Sequence, residues 1–92
     1  MMKRLLPAWQ KSIDAKVSEE MKIFLATNRP MSDASRAIWY NVCSFMDEEV
    51  KNGDMLKEFR PFANAYAKES IAGAINFEVN VFPSRKTEPT NA

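Results

Sequence analysis

The stretch that decides the fold is PFANAYAKESIAGAINFEVNVF, residues 61–82, because its two ends follow different periods. Phe62, Ala63, Tyr66, Ala67, Ser70, Ile71, Ala74 and Ile75 recur at the three- and four-residue intervals that bring side chains to one face of a helix. From Ile75 onward Phe77, Val79 and Val81 alternate with Asn76, Glu78 and Asn80, a period of two built from residues that favour strands. Residues 75–82 therefore read either as a strand or as a continued helix. A single strand in a helical chain would need an edge to pair with: a second copy, a target's sheet, or a strand over residues 22–27. Ala63, Ala65, Ala67, Ala72, Gly73 and Ala74 make this the small-residue helix, suited to a central place in a bundle or to a dimer seam.

Upstream, Pro61 either kinks a helix or opens one, since its missing N–H costs nothing in a first turn. The spacing predicts a short helical turn over 55–60, capped by Asp54, and a longer helix over 61–75. Asn52-Gly53 is a stop signal, because glycine just past a helix end takes the left-handed conformation that satisfies the last carbonyls. It closes a helix over 33–51 with Ser32 as its cap and Asp33 in its first turn. Ile38, Val42, Phe45, Met46 and Val50 form the buried stripe, widened on one side by Trp39 and Cys43. Asp47-Glu48-Glu49 lies near the C-terminus of that helix, where the dipole disfavours acids, so a basic partner is expected, with the Lys-rich first helix as the candidate.

A first helix is predicted over 8–28. Trp9, Ile13, Val17, Met21 and Phe24 recur at intervals of four, four, four and three, while Lys11, Lys16, Glu19, Glu20 and Lys22 fill the other face. Pro30 disfavours helical geometry at Arg29 and ends it. The expected fold is all-α, a single domain over 1–82 with three to four helices, followed by a polar mobile tail over 83–92.

Composition then removes most chemistry. The 92 residues contain no histidine and one cysteine, Cys43. Imidazole-based catalysis and Ser-His-Asp or Cys-His arrangements cannot be built within one chain, and three or four nitrogen and sulfur ligands for zinc are missing. Two glycines, Gly53 and Gly73, form no phosphate-cradling loop. Asp47, Glu48, Glu49, Asp54 and Glu58 read as a solvated acidic face, and Cys43 as a small apolar residue whose pKa is raised if it is moved at all. No enzyme, no cofactor and no metal site is expected.

Thirteen lysines and arginines face twelve acids, so the total field announces neither nucleic acid nor membrane. Residues 1–30 carry six basic and three acidic groups, residues 31–60 four and six, and residues 61–92 three and three. The longest apolar runs are four residues, far below the ~20 needed to cross a bilayer, and the start MMKRLLPAWQK lacks the apolar stretch of a secretory signal. A cytoplasmic protein with no membrane partner is expected.

With six Phe, two Trp, two Tyr and six Met, the surplus lies in large apolar side chains. Trp39 and Tyr40 are neighbours on a helix and point about 100° apart, so one narrow core cannot take both. Phe62 and Tyr66 form an i,i+4 aromatic pair, with Arg29, Arg36 and Arg60 beside them if the helices pack antiparallel. Aromatics with arginines make the composition of protein-interface hot spots. The expected binding residues are thus Arg29, Arg36, Trp39, Tyr40, Arg60, Phe62 and Tyr66. The expected function is a small non-catalytic regulator, an inhibitor or adaptor that binds another protein or a host complex, works as a homodimer or small oligomer, and resembles in size the products of phages and other mobile elements. The alternative is a nucleic-acid or nucleotide-binding module using Arg29, Arg36, Arg60 and the N-terminal basic residues Lys3, Arg4, Lys11 and Lys16.

Overall fold

A computed structural model describes residues 8–82. Three α-helices follow one another: α1 Ala8–Ala26, α2 Ala34–Lys51 and α3 Arg60–Val81, with 3-10 turns Met31–Asp33 and Lys57–Phe59 leading into α2 and α3. The N-terminal Lys3 and Arg4 and the tail expected over 83–92 lie outside the described residues.

The core forms where the helical stripes meet. Ile13, Val17, Met21 and Phe24 of α1, Ala34, Ile38, Val42 and Met46 of α2, and Ala63, Ala67 and Ile71 of α3 are buried, with Met55 closing one end. Each large member contributes on the order of 1.5–3 kcal/mol by leaving water. Cross-helix ties fix the directions. Trp9 meets Tyr66, Asp14 meets Ser70 and Leu25 shares a groove with Phe77, so α1 and α3 run the same way. Glu20 meets Asn41 while Lys16 meets Phe45, and Asp47 meets Arg60 while Trp39 meets Lys68, so α2 runs against both.

The connections carry their own logic. After α1 the Thr27 hydroxyl donates to the Phe24 carbonyl at 2.6 Å, and Asn28 adopts a left-handed φ of 61°, which asparagine tolerates better than most residues. After α2 the amides of Asp54 and Met55 donate to the Glu49 carbonyl at 2.8 and 3.1 Å while Gly53 takes φ 83°, as its stop signal implied.

Several expectations change. Residues 75–81 are helix, not strand: α3 continues to Val81, and the alternating residues are spread round it. The turn expected over 55–60 narrows to the 3-10 turn Lys57–Phe59, and Pro61 sits in the first turn of α3. Asp33, not Ser32, occupies the cap position of α2; it makes no side-chain capping bond there, and its carboxylate lies 3.6 Å from Arg29. The basic partner of the acidic cluster is Arg60 of α3 on Asp47, not the first helix. Glu20 is not on the solvent face: it is buried, bonded by Asn41 Nδ2 at 2.7 Å and Lys16 Nζ at 3.1 Å. Of the small residues, Ala63 and Ala67 are buried, whereas Ala65, Ala72 and Gly73 face solvent, and a Cβ added at Gly73 would meet nothing within 4 Å.

Candidate functional site

The seven candidate binding residues divide into those the fold consumes and those it leaves outward. Tyr66 is consumed. Its hydroxyl donates to Asp14 Oδ2 at 2.6 Å, Ser70 donates to the other oxygen at 2.9 Å, and the ring meets Trp9 edge-on at a centroid distance of 5.8 Å. The hydrogen bond to Asp14, then burial, then the carboxylate's charge push the Tyr66 pKa up to about 12. Such a charge-assisted bond across two helices is structural cement. Arg60 is consumed as well, its guanidinium shared between Asp47 and Asn64 Oδ1, the latter at 3.0 Å. Arg29 pairs with Asp33 and lies 5.3 Å from the Phe24 ring centroid.

Tyr40 and Phe62 are the outward members, 72% and 67% exposed. They do not form one site. Tyr40 lies about 200° round α2 from the fully buried Val42, and Phe62 about 140° round α3 from Ala67. Two further apolar side chains are exposed just before the helix, Leu56 at the extended entry to the 3-10 turn and Phe59 at its end. The Trp9 ring lies 6.4 Å from that of Phe59. At the opposite end of α3, Phe77, Val81 and Phe82 are exposed, and Phe77 lines a groove with Met21 and Leu25 of α1. Phe59, Leu56, Phe77, Val81 and Phe82 were not among the sequence candidates. Phe77 and Val81 fall in the stretch whose alternation also reads as a strand, and nothing in the sequence separates Leu56 and Phe59 from core residues of a short helical turn.

Arg36 and Trp39 share a third place, the groove between α2 and α3, with a volume of about 520 Å³ lined by Ser32, Ser35, Arg36, Trp39, Lys68 and Ile71. Lys68 holds its ammonium 5.4 Å from the Trp39 ring centroid. Lys68 gave no signal in the sequence, because a lone lysine on a helix is ordinarily a solvated charge. Cys43 is half-buried one turn beyond Trp39 on the same side of α2; burial raises its thiol pKa, against the opposing charge and hydrogen bond of Arg60, so the thiolate is disfavoured at neutral pH.

Among the described residues no group of three or more Cys, Asp and Glu side chains is arranged to hold a metal ion, and no helix is long and apolar enough to cross a membrane. No protein-family model, curated protein or solved structure matches the chain.

Proposed function

We propose that this chain is a small helical regulator that works by binding another protein, as an inhibitor or adaptor, and that α3 presents the main contact. The observation that supports this is the position of Phe62 and Phe77, each more than 60% exposed although the core is closed without them. They lie fifteen residues apart, which on a helix is about 22 Å of rise and about 60° of rotation. The open Gly73 lies on the stripe between them, and Tyr66, within the same arc, is turned to Asp14 of α1, so one elongated partner surface, such as a helix, can meet both rings. Exposed aromatic anchors of this size contribute disproportionately to protein interfaces. The partner includes a second copy of the chain where the protein self-associates.

The nucleic-acid alternative draws less support. Of the cations that reading would use within the described residues, Arg29 and Arg60 are paired with Asp33 and Asp47, and Lys16 with Glu19 and Glu20, so that only Lys11 and Arg36 of that set have no ion-pair partner among the described residues.

The test uses Phe62→Ser and Phe77→Ser together, with sedimentation velocity for self-association and affinity capture from the source cells for other partners. Tyr66 is unsuitable, because its loss would be read through folding. The expected result is an unchanged circular dichroism spectrum with partner capture or self-association reduced at least tenfold. A wild-type chain that is strictly monomeric and captures nothing that the double variant fails to capture would overturn the reading.

A further inference from the structure

We propose that the groove between α2 and α3 recognises an acidic peptide segment of the partner, with Arg36 and Lys68 taking its carboxylates and Trp39 and Ile71 taking an adjoining apolar side chain. The inference rests on the protein-binding reading and adds the chemistry of the partner to it.

Charge carries the argument. Among the described residues the groove is lined by two cations, two serines, an indole and an isoleucine, and by no carboxylate. The grooves on the other seams each carry acids: Asp14 and Glu78 between α1 and α3, Glu20 and Glu48 between α1 and α2. Arg29 and Arg60 are paired with Asp33 and Asp47, whereas Arg36 has no carboxylate partner among the described residues. An exposed guanidinium offers two parallel N–H groups to a carboxylate, and the ammonium of Lys68 supplies a second positive point across the groove.

The shape favours a short peptide over a nucleic-acid strand. One face of Trp39 is already covered by Lys68, so a base could stack there only by displacing the ammonium. A strand continuing along the seam past Cys43 would run toward the corner where Asp47 adds a carboxylate and holds Arg60, the next cation of the seam. A peptide with two or three acids about an apolar residue engages the basic end and stops short of that corner.

The experiment places Trp9→Phe in the full chain so that Trp39 is the only indole, and follows its emission while titrating the capped peptide Glu-Glu-Leu-Glu-Glu. The control ligands are the same peptide with glutamine for glutamate and a single-stranded oligothymidylate of equal charge. A saturable change with the acidic peptide is expected, with affinity lowered about tenfold by glutamine, by Arg36→Ala and by Lys68→Ala, and by less than about twofold by the distant Lys51→Ala. Circular dichroism confirms that each variant is folded. Equal binding of the glutamine peptide, insensitivity to Arg36→Ala and Lys68→Ala, tighter binding of the oligothymidylate, or no binding of the acidic peptide each overturns the proposal. The two readings fail separately: partner capture that survives Arg36→Ala with Lys68→Ala but not loss of Phe62 and Phe77 removes the groove and keeps the partner surface.

Discussion

The two halves of α3 share one unbroken backbone and differ in almost everything that holds a helix in place. Residues 60–71 supply all three buried side chains of the helix, Ala63, Ala67 and Ile71, and anchor the bonds of Arg60, Tyr66 and Ser70 to α2 and α1. Residues 72–81 bury no side chain fully, carry Gly73 and several β-branched or asparagine residues of low helix propensity, and leave Phe77 and Val81 exposed. Helix in the second half is thus sustained by continuity with the first and by half-buried contacts of Ala74, Ile75, Glu78 and Val79. One half is committed to the fold, and the other has apolar surface left over for a partner.

The largest expected effect tests the first half. Ile71→Ala removes a side chain that is 2% exposed and should cost about 3 kcal/mol in chemical denaturation. A cost below about 1 kcal/mol would mean that the first half is no better anchored than the second.

Tyr66→Phe comes next, at about 2 kcal/mol, because it takes a donor from a part-buried carboxylate and leaves Asp14 with Ser70 alone. It also carries a pH signature. With the folded pKa raised to about 12 from 10.0, the folded state keeps a proton that the unfolded chain loses. The stabilisation is therefore whole below pH 10 and disappears as pH rises through about 12. The difference in stability between wild type and Tyr66→Phe should shrink across that window, and a constant difference would exclude Asp14 as the cause.

The same contrast explains what could be read from the residues alone. Ile13, Val17, Met21 and Phe24, and Ile38, Val42 and Met46, advertise buried helical faces because three- and four-residue spacing has no other economical use. The all-α class, the stop at Asn52-Gly53 and the start near Pro61 follow from comparable local physics. The second half of α3 is ambiguous because local preference there points to strand, and continuity with the anchored first half and its half-buried contacts decide for helix. Glu20 was misplaced for a related reason: it falls between Val17 and Phe24 on the apolar stripe, but its charge suggested solvent until Asn41 and Lys16 supplied partners. The candidate site shows the sharpest limit. Residue type nominated Tyr66 and Phe62 as a pair, yet Asp14, fifty-two residues before Tyr66 in the chain, separates a structural hydroxyl from an outward ring. Lys68 joins Arg36 and Trp39 only through the antiparallel packing of α2 and α3, which no spacing within either helix encodes.

Gly73→Ala should stabilise the protein by about 0.5–1 kcal/mol, since the glycine has no left-handed conformation to protect and its added Cβ meets nothing within 4 Å. The gain should appear locally. Amide hydrogen exchange over residues 74–81 should be faster than over residues 63–71 in the wild type, and Gly73→Ala should narrow that gap. If the two halves exchange alike from the outset, the division of α3 drawn from burial has no dynamic counterpart.

Phe77→Ser has the smallest expected effect on folding, no more than about 0.5 kcal/mol, because most of the ring is already in water and serine is no worse than phenylalanine in a helix. That small cost makes it the most informative change. An apolar ring 62% exposed beside Met21 and Leu25 loses free energy to hydration in the isolated chain and regains it only when covered. If the second half of α3 is a contact surface, Phe77→Ser should leave the denaturation midpoint in place while weakening association, so that stability and binding separate at one residue. If instead the stability falls by about 2 kcal/mol or more, Phe77 supports the fold in solution, and the partner surface must be sought along Leu56, Phe59 and Phe62 at the other end.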